Sequence, residues 1–401
     1  MIKVGVFGLG KLGLPLAACI SDCGFSTVGY DSNVKLVEKL INKEYDFIEP
    51  QLNGILSRNS EKIIYSSEII SLSTTDIVYI ILPTPSLQNN AFDDSLIKLA
   101  VQELLNVWKD RNSPKTIVIV STVMPGTCES IIKEHEIELK KKHNVRIVYS
   151  PEFIALGSVV ENLISPDMIL VGAVEGADAS DHLNIQSKLT GIFDHKFMSL
   201  REAEVTKLLV NCFVTMKISF ANFIGEISYR ENLDANIVSE ALGCDSRIGT
   251  KYLRPGLGYS GPCFPRDNRA LIKYSEDLGL NADLSISTDK INERQPDLVL
   301  EKIKDLTLQR KKIGIVGLAY KPHTTVIDES QTIKVASKLV NDGYQVFTYD
   351  PLIAGSRIVE GALDVNEISE LEICDLIIAY SSYREILISQ SNLENTKIIY
   401  C

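Results

Sequence analysis

A short apolar strand at residues 2–7 runs directly into Gly8-Leu9-Gly10-Lys11-Leu12-Gly13, and residues 14–23 then repeat apolar side chains at helical spacing. Strand, glycine-rich turn and helix in one run leave few folds open. They are the opening of a βαβ unit, whose strands lie parallel under covering helices. Gly24 ends the helix, and a second strand at 25–30 finishes on Asp31, 18 positions after Gly13. Gly8 makes the tight turn, Gly10 lets backbone amides approach a pyrophosphate, and Gly13 lets the helix lie close on the strand. Asp31 is placed to accept from ribose hydroxyls and to repel a 2′-phosphate. The unit therefore predicts NAD rather than NADP, with Gly8, Gly10, Lys11, Leu12, Gly13 and Asp31 as its contacts. The glycines alone would also describe a turn that binds nothing; the flanking strands and the acid are what point to a cofactor.

Further buried strands follow at 76–82 and 116–120, ending in Pro83-Thr84-Pro85 and in Ser121-Thr122-Val123-Met124-Pro125-Gly126-Thr127. A strand at 147–149 delivers Ser150-Pro151-Glu152-Phe153-Ile154. All three turns fall at the carboxyl edge of a parallel sheet, where open α/β folds bind ligands. From 202 to 232 there is no proline and a single glycine, Gly225, while Val205, Leu208, Leu209, Cys212, Met216, Phe220, Phe223 and Ile227 recur at helical spacing. One long helix is expected, able to act as a spine and as a dimer interface. Lys207 and Asn211 lie four apart and so share a face of it; a solvated polar stripe is the ordinary reading of such a pair.

After Pro296 the opening is echoed. A strand at 312–316 leads to Gly317-Leu318-Ala319-Tyr320-Lys321 and a helix at 332–341; Gly343-Tyr344 then answers Gly24-Phe25, and Tyr349-Asp350 answers Tyr30-Asp31. Gly8 to Asp31 spans 23 positions and Gly317 to Asp350 spans 33, and the third glycine is missing, so this second unit is a degenerate relative of the first. The expected architecture is α/β, with two Rossmann-like parallel-sheet domains, residues 1–198 and 297–401. A long central helix and small helical domain, residues 199–296, join them.

A chain of 401 residues suits two to three domains, and 45% hydrophobic with 23% charged residues is ordinary for a soluble globular protein. The net charge of −11 argues against nucleic acid or an anionic membrane as a main partner, leaving any anionic substrate to individual Lys and Arg side chains. No charged-then-apolar leader is evident and no apolar run reads as long enough to span a bilayer, so a cytoplasmic location is expected. The eight cysteines form no Cys-x-x-Cys pair, and Cys19 with Cys23 lies on an apolar helix face, so free thiols are expected. The five histidines lack metal-ligand spacing, and no metal is expected.

One cysteine stands apart. In Arg254-Pro255-Gly256-Leu257-Gly258-Tyr259-Ser260-Gly261-Pro262-Cys263-Phe264-Pro265-Arg266-Asp267, three glycines and three prolines hold the backbone in turns and present Cys263 on a rigid loop. Arg266 nearby favours the thiolate, the reactive form. By itself such a residue reads as a buried structural cysteine. The stretch, however, resembles the cysteine loop of the nucleotide-sugar dehydrogenase family, which includes UDP-glucose, GDP-mannose and UDP-N-acetylmannosamine dehydrogenases. Its lead, Asp245-Ser246-Arg247-Ile248-Gly249-Thr250-Lys251-Tyr252-Leu253, resembles the UDP-glucose branch. The three strand-end turns, Ser165-Pro166-Asp167-Met168-Ile169-Leu170-Val171-Gly172 and Ala203-Glu204-Val205-Thr206-Lys207-Leu208-Leu209-Val210-Asn211 resemble the family's motifs in order, over nearly the whole chain.

The resemblance implies NAD-dependent, four-electron oxidation of a nucleotide sugar at C6, foremost UDP-glucose to UDP-glucuronate. The aldehyde formed first has no hydroxyl from which a second hydride can leave, so a thiolate must add to it, giving a thiohemiacetal and then a thioester that water opens. Cys263 is implied as the nucleophile, Lys207 and Asn211 as donors to the oxyanion, and Glu152, Thr122 and Asp267 as holders of water and relays for protons. Pro83, Thr84, Ser121, Thr122 and Arg266 would meet the cofactor. Glu152, Phe153, Ile154, Lys207, Asn211, Tyr252, Leu253, Arg254 and Gly258 would surround the sugar, Arg247 would reach the sugar of the other subunit of a homodimer, and Lys321 would serve UDP.

Several positions depart from the family. Arg266 replaces a lysine, Leu156 stands where an acid precedes Gly157, Asp328 where an arginine precedes Glu329-Ser330, and Ser260 where the loop has glycine. Ser381-Ser382-Tyr383 replaces Thr-Glu-Trp, and Cys401 falls before the closing Asp-x-Arg run. Other readings stay open: a UDP-N-acetylhexosamine or GDP-mannose as substrate, a two-electron β-hydroxyacid-type dehydrogenase with no use for Cys263, or a non-catalytic nucleotide-binding protein.

Overall fold

The computed structural model describes residues 2–108, 114–139, 145–306, 312–353, 355–380, 383–389, 393 and 397–400. Ser381, Ser382 and Cys401, named above as departures, lie outside them. Strands β1 (Lys3–Phe7), β2 (Ser26–Tyr30), β3 (Ile63–Ser66), β4 (Ile77–Ile80), β5 (Lys115–Ile119), β6 (Val145–Tyr149), β7 (Leu170–Ala173) and β8 (Lys196–Met198) form one sheet in the order β3-β2-β1-β4-β5-β6-β7-β8. Every pairing is parallel except β6 with β7, the one departure from the all-parallel sheet expected. Every residue of β4, β5 and β7 is buried, as a sheet covered on both faces requires. Val4, Val6, Ile77 and Tyr79 pack into the core on one face, Phe7, Val78 and Ile80 into that on the other.

The second sheet is wholly parallel: β9 (Lys312–Val316), β10 (Gln345–Tyr349), β11 (Leu363–Asp364), β12 (Leu376–Ala379) and β13 (Lys397–Tyr400), ordered β11-β10-β9-β12-β13. Here the echo read in the sequence reaches single hydrogen bonds. Gly8 N–H donates to the Tyr30 carbonyl at 2.8 Å, and Gly317 N–H to that of Tyr349 at 2.8 Å. Asp31 Oδ2 accepts from Leu9 N–H at 2.7 Å, and Asp350 Oδ2 from Leu318 N–H at 2.8 Å. Lys3 N–H donates to Asp76 at 2.9 Å, and Lys312 N–H to Asp375 at 3.0 Å.

The spine helix, Leu200–Glu231, has 32 residues. It begins a little before the expected 202 because Ser199 and Glu202 form a capping box: Glu202 Oε2 accepts from Ser199 N–H at 2.8 Å, and Glu202 N–H donates to Ser199 Oγ at 3.3 Å. It ends where Asn232 turns left-handed (φ +57°) and Leu233 N–H reaches back to Ser228 O. By length and composition alone it is long enough to cross a membrane, which corrects the expectation that no apolar run is. Its Glu204, Lys207, Leu208, Cys212, Ala221 and Ile224 are nevertheless buried within the protein, as on a core helix. The chain separates into two compact units, Met1–Leu209 and Val210–Cys401, with the division inside this helix. Cys19 is buried and Cys23 half-buried, and all seven described cysteines are free thiols.

Candidate active site

In the first unit, the residues after β1 fit a dinucleotide. A Cβ on Gly8, which has φ +96°, would strike the Ile81 carbonyl, and one on Gly13 would strike the Gly8 carbonyl. A Cβ on exposed Gly10 would meet nothing within 4 Å, leaving clear space in front of the helix Gly13–Asp22, whose Leu14 N–H donates to the Gly10 carbonyl at 3.1 Å and whose positive dipole end faces that space. Lys11 is exposed, while Leu12 packs against the core at the helix N-cap. Asp31 is already anchored, Oδ2 by Leu9 N–H and Oδ1 by Asn33 N–H at 2.8 Å, so its orientation towards a ribose is set before a ligand arrives.

The two turns after β4 and β5 are stitched together. Ser121 Oγ accepts from Leu82 N–H at 2.9 Å and donates to Leu82 O at 2.8 Å, and buried Thr84 donates to the Thr122 carbonyl at 2.7 Å. These hydroxyls, expected at the cofactor, first of all fix the shape of the edge that would receive it. Pro83 lies on the same edge and is exposed. Glu204 on the spine helix accepts from Gly126 N–H at 2.5 Å and Cys128 N–H at 2.8 Å, holding the far end of the Thr122 turn.

Glu152 follows β6. Burial of its carboxyl pushes it up to about 7, while the Gln186 amide, 3.4 Å from Oε1, and the Lys207 ammonium pull it down. Lys207 is buried; its Nζ donates to the Glu152 carbonyl at 2.7 Å and lies 4.4 Å from the centre of the Phe153 ring. It is therefore no solvated stripe. Ile154 and Leu156 pack against the first core, so the position where the family carries an acid is apolar and faces apolar neighbours.

In the second unit Cys263 is exposed and immediately precedes the helix Phe264–Asp277. One turn in, fully buried Asp267 accepts from Asn211 Nδ2 at 2.6 Å and from the Arg266 guanidinium at 3.0 and 3.1 Å. Arg266, expected to act on the thiol and the cofactor, thus has its guanidinium on Asp267. Cys212 Sγ also reaches the Asp267 carbonyl. Gly258 has φ +93° and abuts Asn292. Leu253 is buried, Tyr252 is half-exposed with φ +61°, and Arg254 projects into solvent. Arg247 is also exposed, its guanidinium on Asp245 at 2.6 Å. Lys321 Nζ lies 5.8 Å from the centre of the Tyr320 ring. No group of three or more His, Cys, Asp or Glu with metal-holding geometry occurs among the described residues.

Gln186, Asn292 and Gln331 are the contributors sequence reasoning missed. Each bonds a residue dozens of positions away from a place on an ordinary amphipathic helix, where no local pattern marks it.

Three parts of one family model match the chain, described as the UDP-glucose/GDP-mannose dehydrogenase family NAD binding domain over residues 2–190, central domain over 201–294 and UDP binding domain over 314–396. A putative UDP-glucose 6-dehydrogenase of Bacillus subtilis is 32% identical over 357 residues, 87% of this chain and 82% of the relative. A GDP-mannose 6-dehydrogenase of Pseudomonas syringae is 26% identical over 365 residues, 89% and 82% of the two chains. The solved structure of a UDP-glucose dehydrogenase from Pyrobaculum islandicum superposes with a TM-score of 0.87 at 30% identity, covering 94% of this chain and 89% of that one.

Proposed function

Because the chain belongs to the UDP-glucose/GDP-mannose dehydrogenase family, and so is a nucleotide-sugar dehydrogenase with an NAD binding domain, we propose that it oxidises UDP-glucose at C6 to UDP-glucuronate. The observation that carries this reading is an exposed Cys263 at a helix N-terminus, where negative charge is favoured, beside a buried Asp267 bonded to Asn211. A two-electron dehydrogenase has no use for such a thiol.

Gly8, Gly10, Gly13 and Asp31 hold the cofactor; NAD, when bound, supplies the hydride acceptor for both oxidations. Cys263 thiolate adds to the aldehyde carbon, a C–S bond forms, and the carbonyl oxygen becomes an oxyanion that Asn211 and Lys207 stabilise by donation. The second oxidation leaves a thioester on Cys263. Water adds to it with its proton passing to Glu152, Thr122 and Asp267 keep that water in place, the C–S bond breaks, and the thiol is regenerated with the acid. UDP-glucose is favoured by the names of relatives at 32% and 30% identity over that of the 26% relative. The same reading has a cytoplasmic homodimer that pairs along the spine helix, with Arg247 serving the partner's sugar.

Purified protein with NAD and a panel of UDP- and GDP-sugars is expected to yield two NADH per acid with UDP-glucose. Cys263→Ser is expected to abolish uronate and keep NAD affinity. One NADH per turnover, undisturbed by that substitution, would sink the thioester step.

A further inference from the structure

Three consecutive residues just ahead of Cys263 are tied to the connection between β9 and the helix Gln331–Asn341. Gln331 Nε2 donates to the Tyr259 carbonyl at 3.1 Å, Ser260 Oγ to the Tyr320 carbonyl at 3.4 Å, and Gly261 N–H to the Asp328 carbonyl at 2.9 Å. Gly261 has φ +83°, and a Cβ there would stand 2.5 Å from the Tyr320 ring, so the two segments touch as closely as backbone allows. Asn292 already satisfies the Tyr259 peptide from the other side, accepting its N–H at 2.8 Å and donating to its carbonyl at 3.0 Å.

Gln331 is therefore a second donor to a carbonyl that has one. It is 1% exposed, and its own Oε1 is buried without a partner among the described residues. An unsatisfied buried amide oxygen is a cost that an apolar side chain of the same length would avoid. Packing and stability do not account for a glutamine here; a link between the two segments does.

We infer that Gln331 is a positioning residue through which a nucleoside diphosphate on the β9 connection sets the geometry of the cysteine loop. The inference rests on the reading of the second unit as the nucleotide's seat. Gln331 is the first residue of its helix, directly after Ser330, whose Oγ accepts from Ile333 N–H at 3.5 Å, so a ligand that orders the connection ending at Ser330 also orders the side chain bonded to Tyr259. Binding energy from a part of the substrate that does not react is thereby used to hold the thiol for the carbon that does.

The test is the rate at which iodoacetamide alkylates Cys263 in the full chain, followed by mass spectrometry, with and without saturating UDP. UDP lacks the sugar, so it does not cover the thiol as substrate would. In the unaltered protein UDP is expected to slow alkylation about fivefold, the ratio one hydrogen bond sets. In Gln331→Met, of similar length, UDP still binds by calorimetry and the slowing falls below about twofold. Ser260→Ala removes only the longest tie and is expected to keep most of the slowing, which guards against misreading a loss of folding. Equal slowing in Gln331→Met and unaltered protein overturns this inference alone. Failure of UDP to bind the unaltered protein overturns the reading of the second unit, and this inference with it.

Discussion

At Glu152 burial and charge pull in opposite directions. Loss of water raises its carboxyl to about 7, and the Gln186 amide with the Lys207 ammonium stops it rising further. A base must be deprotonated to accept a proton from water, so kcat is expected to climb as pH rises through about 7 where thioester hydrolysis limits. Glu152→Gln should remove that limb and lower kcat by roughly 10²–10⁴-fold. A pH–rate profile that keeps the limb in the variant would take Glu152 out of the role. Folding stability gives an independent check. Between the ordinary value of 4.5 and about 7 the folded carboxyl holds a proton that the unfolded one has lost, so this group's stabilisation is complete below 4.5 and is lost as pH rises through 7. Glu152→Gln should therefore gain on the unaltered protein over that window, by up to about 3 kcal/mol, read from denaturant midpoints at pH 4.5 and 8. Neither Gln186 nor the Lys207 contact to the Glu152 carbonyl was legible in sequence. Both span dozens of positions, and polar partners at that range follow no period.

The turn after β1 separates two uses of glycine that a motif treats as one. Gly13 is required by the fold, since any side chain there strikes the Gly8 carbonyl, whereas Gly10 is required by nothing in the protein itself. Gly13→Ala is expected to destabilise the first unit by about 2 kcal/mol or more, through overpacking against backbone. Gly10→Ala should leave stability within about 0.5 kcal/mol and weaken NAD at least about tenfold, because its methyl group occupies the space left for pyrophosphate. Thermal unfolding and NAD titration on the two variants distinguish the cases. Unchanged NAD affinity in Gly10→Ala would place the cofactor elsewhere. The elements themselves were readable: β9 and β10 fall on the expected residues, and Gly13–Asp22 starts one residue early. What period and glycines cannot carry is how neighbouring turns lock, as Ser121 locks Leu82, because that depends on which strands end up side by side.

For the whole molecule, the sequence showed two related halves from their ends alone, Gly24 with Gly343 and Asp31 with Asp350. The folded chain extends the relation inward to Lys3 with Lys312 and Asp76 with Asp375, whose bonds match. Amphipathic pattern likewise revealed the spine helix while hiding that it has two apolar sides. Leu208, Cys212, Ala221 and Ile224 are buried within the protein, but Leu209, Phe213, Phe220, Phe223 and Ile227 stay 42–59% exposed. At 100° per residue those five fall within an arc of about 80°, a continuous stripe rather than scattered exposure. A stripe carrying three phenylalanines is what a second copy of the same helix would cover, by an isologous contact in which each stripe meets its twin. Sedimentation at micromolar concentration is expected to give twice the chain's mass, and Phe213→Asp with Phe220→Asp to give the monomer while NAD affinity is retained. Uronate formation should fall with the dimer if Arg247, held in solvent by Asp245 in the single chain, completes the partner's sugar site. A monomeric unaltered chain, or a double variant that still sediments as a dimer, would move the interface off this helix.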